Sequence, residues 1–177
     1  IPYVLKNWYE GKECDTKSQE DVIKSVEALA RLHRVMKLPV CEEYVAEPLD
    51  EEYLRHNREL RRIQRFIRKK GAGNSFEKAY LSSVEWFLER GTQALKRLET
   101  SGYQQLRQTA LEEGSICHGE YNQHNVLMLK RGTAVTNFEK WSFDVPMADL
   151  YRFMRKVLEK NNWDVSLARE ILKAYHR

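Results

Sequence analysis

The sequence predicts a mostly helical α+β fold, and three observations predict it. Between Asp15 and Glu112 the apolar residues recur three and four positions apart, the spacing of one helix face. Beyond Gly114 the period falls to two over a few short runs, as in strands. After Trp141 the helical spacing returns and holds to the end. The 177 residues are one domain's worth, enough to bury a core.

Composition narrows the class. At 42% apolar and 32% charged, the chain reads as a charge-rich soluble globular protein. No apolar run approaches the roughly 20 residues of a membrane-spanning helix, and nothing at the N-terminus marks secretion. Cys14, Cys41 and Cys117 are odd in number and far apart, which fits neither a disulfide framework nor a zinc site. They read as reduced cytoplasmic thiols, Cys117 as a buried strand residue rather than a nucleophile. The chain starts at Ile1 and opens into an apolar run, as expected of an excerpt from a longer protein.

The elements follow in order. Pro2 to Trp8 is a short β-like run ending at the turn Glu10-Gly11. Asp15 or Thr16 caps a helix that carries Val22, Val26, Leu29, His33 and Met36 on one face, and Pro39 stops it. A second helix runs from about Asp50 to Lys70, acidic in its first turn and basic in its last, as the helix dipole prefers. Gly71 to Asn74 breaks it. Ser75 caps a third helix with an expected apolar face of Phe76, Tyr80, Phe87, Leu95 and Leu98. A shorter helical piece ends near Gly114, and Ile116-Cys117 is a brief strand. Val126–Leu129 and Ala134–Thr136 form a hairpin around Arg131-Gly132. Pro146 opens a helix to Lys160, and a last one spans Asp164 to His176. Trp8, Trp86, Trp141 and Trp163 read as core or edge packing residues, with a cleft wall as the alternative for Trp141.

The chemistry is concentrated in His118-Gly119-Glu120-Tyr121-Asn122-Gln123-His124-Asn125, followed by Asn137-Phe138-Glu139. An acidic group, an amide five residues later and a polar group beside a Phe form the layout of a kinase catalytic loop with its metal partner. In that layout an Asp takes the proton of the attacking hydroxyl, an Asn holds Mg²⁺, and a second Asp bridges Mg²⁺ to the phosphates. The hairpin places Asn125 and Asn137 side by side at one edge, as a shared metal needs.

With the PYVLKNWYEGKECD opening and PMADLYRFMRKVLEKNNWD after the loop, these motifs resemble the spore coat protein S family over essentially the whole chain. The fold of that family is similar to that of aminoglycoside and choline phosphotransferases. The resemblance implies the C-terminal lobe of a kinase-like fold across residues 1–177. It divides into a hinge strand (1–9), a helical part (10–114), the loop and hairpin (115–140) and C-terminal helices (141–177), with the N-terminal lobe outside this chain. It makes His118 a structural member of the loop and puts Glu120 in the place of the catalytic Asp. Asn125 becomes the retained metal ligand, and Asn137 stands where a metal-chelating Asp is found. Asp149 is expected to hydrogen-bond the loop backbone. Tyr3, Val4, Leu5, Lys6, Asn7 and Trp8 supply the hinge that meets an adenine ring. Asn122 falls where related loops carry Lys or His near the transferred phosphate.

These departures bear on activity. Glu is one methylene longer than Asp, and a displacement of about 1 Å costs on the order of a hundredfold in rate. Asn137 is neutral, so Mg²⁺ loses its main carboxylate partner. No Gly-rich phosphate loop or strand-borne Lys precedes the motif in this chain. The resemblance therefore implies a pseudokinase or scaffold of the spore coat, with other coat proteins as partners and a path from mother-cell cytoplasm to coat. The alternative is an active phosphotransferase using ATP and Mg²⁺, with Glu139 taking over the metal.

A separate feature is a stripe of Arg55, Arg58, Arg62, Arg65 and Lys69 opposite Tyr53, Leu60, Ile63 and Ile67 on the second helix. It is either a solvated face or a docking surface for an anionic partner. A net charge of +4 and the absence of aromatics along the stripe argue against a dedicated nucleic-acid protein.

Overall fold

The computed structural model describes residues 7–176. The expected hinge residues Tyr3, Val4, Leu5 and Lys6 lie outside them. Asn7 and Trp8 are described but belong to no strand, and Trp8 is 89% exposed, so the hinge strand does not run through to residue 9. Among the described residues the first strand is β1 (Lys12–Glu13), where the Cys14 amide that follows it donates to the carbonyls of Gln123 and Val126.

The chain forms two compact units. The first contains the described residues up to Val45 and from Thr109 onward. Its helices are α1 (Gln19–Val35), α5 (Met147–Lys160) and α6 (Val165–His176), with β2 (Ile116–Cys117), β3 (Val126–Met128), β4 (Thr133–Val135) and β5 (Ser142–Phe143). The second, Ala46–Gln108, is built on α2 (Leu49–Lys70) and α3 (Ser75–Glu99). The remaining helix, α4 (Tyr103–Glu112), crosses the boundary in sequence.

Ser18, not Asp15 or Thr16, caps α1, accepting from the Asp21 amide. Asp15 is occupied one turn earlier, where its carboxylate accepts from the Lys17 amide at 2.8 Å, and Thr16 is buried. The helix buries Val22, Val26, Leu29 and His33 as its spacing predicts. Against them pack Tyr121, Val126, Leu150, Phe153, Val157 and Ile171, the core of this unit. Six such side chains removed from water supply about 1.5–3 kcal/mol each before the entropy of ordering them is counted.

Two small sheets lie in this unit. In one, β3 runs between β1 and β4, all antiparallel, in the register Val126↔Val135, Leu127↔Ala134 and Met128↔Thr133. In the other, β2 pairs with β5, Ile116 opposite Phe143. The catalytic-type loop leaves β2 and enters β3, so one sheet holds each of its ends.

In the second unit, α2 and α3 pack together as a helical hairpin. Asn74, not Ser75, caps α3, its side-chain oxygen accepting from the Glu77 amide at 2.9 Å. The buried face of α3 is Val84 and Leu88, with Tyr80 half-buried one turn earlier. Phe76 and Phe87 are 72% and 54% exposed, because they sit at the margin of the arc that Tyr80, Val84 and Leu88 center on α2. Gly91 allows the close approach: a Cβ there would lie 2.4 Å from the Asn57 side-chain oxygen. On α2, Ile67 is buried and Leu60 and Ile63 half-buried, but Tyr53 is exposed, and Asn57 and Gln64 fill the face instead. The packing role read for the tryptophans fails for Trp8, Trp86 and Trp163, all more than half exposed, and holds for Trp141.

Candidate functional site

Asp149, in the first turn of α5, organizes the loop from beneath. It is completely buried and accepts from the amides of His118 at 2.5 Å and Gly119 at 2.9 Å. The His33 Nε2 approaches the same carboxylate at 3.2 Å, and His33 Nδ1 meets the Tyr175 hydroxyl at 2.7 Å. A carboxylate only accepts, so His33 donates from Nε2 and receives the Tyr175 hydroxyl at Nδ1. Burial, followed by the nearby Cys117 and Asp149, pushes Tyr175 up to about 12, so that hydroxyl keeps its proton. His33, Cys117 and Asp149 lie within ligand distance of one another. Their polar atoms are nonetheless committed: Cys117 donates to the Val145 carbonyl, and burial pushes its thiol well above the usual range. The cluster is a satisfied polar core, and Cys117 is not a thiolate nucleophile.

Gly119 turns the chain at φ 81°, and a Cβ there would sit 1.8 Å from the Lys140 carbonyl oxygen. Only glycine meets both conditions. The Gly119 carbonyl accepts from Arg152 on α5 at 2.9 Å. Tyr121 reaches into the core, where its hydroxyl donates to the Ser25 carbonyl on α1 at 2.7 Å. Outside, His124 pairs with Glu13 of β1 at 2.6 Å.

His118 is fully buried with both ring nitrogens engaged. Nε2 donates to the Thr136 carbonyl at 2.8 Å, and Nδ1 accepts from the Glu120 amide at 3.2 Å. The ring therefore holds one neutral tautomer, with Phe138 against its face at 4.5 Å. It has no free lone pair for proton abstraction. The Glu120 side chain is exposed and makes no hydrogen bond or ion pair among the described residues. Its backbone carbonyl is the busy group, accepting from Asn125 Nδ2 at 2.9 Å and Asn122 Nδ2 at 3.1 Å.

From that carbonyl a directional chain can be followed. Because a carbonyl only accepts, Asn125 must present its NH₂ to Glu120, which turns Asn125 Oδ1 toward the hairpin. There it accepts from Asn137 Nδ2 at 2.8 Å. The hairpin register that sets Val126 opposite Val135 brings these amides together, and Asn137 takes up φ 63°, a left-handed conformation that Asn tolerates. A carboxylate at residue 137 would face Asn125 Oδ1 with two negative oxygens and need a cation between them. Mg²⁺ calls for oxygen ligands, preferably anionic, in near-octahedral order. Here the pair offers two neutral amides, and the Asn125 oxygen already receives a proton donor. As arranged, this donor set does not fit Mg²⁺.

Beside the loop, Phe138 and Trp141 line a cleft with Ile116, Met36 and Leu38, the Trp141 ring stacked on Tyr44 at 4.7 Å. The cleft reading of Trp141 therefore applies alongside its packing. Of the residues expected at the site, the structure brings together His118, Glu120, Asn125, Asn137 and Asp149. Among the described residues Asn7 and Trp8 make no hydrogen bond or ion pair with them, and the other hinge residues fall outside the described range. Missed by sequence reasoning were the His33–Asp149 and Tyr175 contacts, the Tyr121 anchor and the Glu13–His124 pair. Only His33 left a signal, as a polar residue on the apolar face of α1.

The fold is similar to a crystal structure of aminoglycoside phosphotransferase from Alicyclobacillus acidocaldarius subsp. acidocaldarius DSM 446 (TM-score 0.80, 19% identity), covering 95% of this chain and 50% of that one. Spore coat protein S of Bacillus subtilis (strain 168) is 26% identical over 101 residues, 56% of this chain and 29% of that protein. The chain thus spans half or less of the length of both. Among the described residues no helix is long and apolar enough to cross a membrane. Over residues 1–177 the sequence matches the APH phosphotransferase enzyme family, and the chain belongs to it.

Proposed function

We propose that this chain is the C-terminal lobe of a spore-coat-associated kinase-like protein that works as a pseudokinase or scaffold. One observation carries the reading: the Asn137 amide donates to Asn125 Oδ1, the atom that would otherwise face a metal. A direct hydrogen bond between the two side-chain amides takes the place of a metal-bridged pair, and catalysis by phosphate charge neutralization loses its cation. The spore coat assignment is supported by the similarity to spore coat protein S and implies other coat proteins as partners, reached from the mother-cell cytoplasm.

A second reading, an active small-molecule phosphotransferase using ATP and Mg²⁺, is favored by the unpartnered, solvent-facing Glu120 carboxylate, which is open to an incoming hydroxyl. The two separate by experiment on the full-length protein. The scaffold reading expects no Mg²⁺-dependent nucleotide binding in the wild type and its appearance in Glu120→Asp with Asn137→Asp. Robust wild-type phosphotransfer that disappears in Glu120→Gln would establish the enzyme instead.

A further inference from the structure

We propose that the outer face of α2 docks an acidic segment of a partner protein, one presenting carboxylates at helical spacing. Arg58, Arg62, Arg65 and Lys69 follow one another at steps of four, three and four, with Arg61 beside them, and all five are exposed. The opposite face is spent on α3, so the stripe is not part of the hairpin's own packing.

Local carboxylates pair with some cations of this helix, Arg62 of the stripe among them, and leave the others unpaired. Arg55 pairs with Glu47, Arg62 with Glu59, Arg68 with Glu85 and Lys70 with Glu77. Among the described residues, Arg58, Arg61, Arg65 and Lys69 have no such ion pair. They span about 16 Å along the helix at 1.5 Å per residue. Guanidinium groups favor planar, bidentate acceptors, which carboxylates and phosphates both provide.

Two features favor a protein segment over a nucleic acid. Asp50, Glu51 and Glu52 close the stripe at its N-terminal end, where a continuous phosphate backbone would be repelled. Leu54 and Phe66, 48% and 64% exposed, border the cations and offer apolar contact that a side chain uses and a phosphate does not. The inference concerns the second unit alone and stands whether or not the loop is catalytic.

The test uses the full chain and a synthetic helical peptide with Glu at three- and four-residue steps, followed by fluorescence anisotropy at low and high salt. A peptide with Gln at those positions and a single-stranded RNA of similar length serve as comparisons. The Glu peptide is expected to bind, to weaken as salt rises and to outcompete both. Replacing Arg58, Arg61, Arg65 and Lys69 by Gln should weaken binding by about tenfold or more and flatten the salt dependence. Equal binding of the Glu and Gln peptides, tighter binding of RNA, or an unaffected variant that melts like the wild type would each overturn the proposal. If that variant does not fold, the wild-type peptide comparison decides alone.

Discussion

At the scale of single residues, Asp149 accepts from the amide of Gly119, the residue before Glu120, yet the two acids carry opposite burdens. Asp149 is buried with two backbone amides and His33 on its carboxylate, so Asp149→Ala leaves three buried donors without an acceptor. A loss of about 3 kcal/mol or more is expected, read by chemical denaturation. Glu120 supports nothing with its side chain, and Glu120→Gln should move stability by less than about 0.5 kcal/mol in the same measurement. The loop residues themselves were legible in the sequence, because an acid, an amide five positions on and a polar group before Phe138 form a spacing that chemistry reuses. Their supports were not. His33 and Asp149 lie 116 residues apart, and no local pattern links them. The donor direction of Asn125 likewise follows only from the carbonyl it faces.

At the scale of elements, the helices were legible because each α-helix repeats its period for more than two turns. Their ends were less so: Asp15, Thr16 and Ser18 are all good caps, and the choice depends on which one the following amides reach. The strands β1 and β5, two residues each, have no period to read. In α1, Asp21 tests how its N-terminus is held. Burial alone would raise its carboxyl, but Lys12 at 3.0 Å, the Asp15 amide and the charge of Lys24 outweigh it and leave the value lowered. A lowered folded value adds stability above the unfolded value of about 3.9 and loses it as pH falls through the folded value. Asp21→Asn should therefore cost about 1 kcal/mol at neutral pH, with the gap to wild type closing in melts taken below about pH 4. In the second unit, Gly91→Ala forces a methyl against Asn57 and should cost about 1–3 kcal/mol in the same assay.

At the scale of the molecule, membership of the phosphotransferase family and the α+β fold were both legible, since the ordered succession of loop, hairpin and Asp149 helix is long enough to be distinctive. What the family frame does not carry over is whether Asn125 and Asn137 hold a metal, which in the proposed reading turns on one hydrogen bond between the two amides. If that bond closes the site, Mg²⁺ has nothing to bind between Asn125 and Asn137. The most direct measurement is a thermal melt of the wild type and of Asn137→Asp, each in EDTA and in millimolar Mg²⁺. The wild type should melt at the same temperature in both. Asn137→Asp should melt lower in EDTA, its carboxylate facing Asn125 Oδ1, and recover with Mg²⁺ as a cation fills the gap. A wild type that Mg²⁺ stabilizes, with an Asn137→Asp variant indifferent to it, would contradict the account.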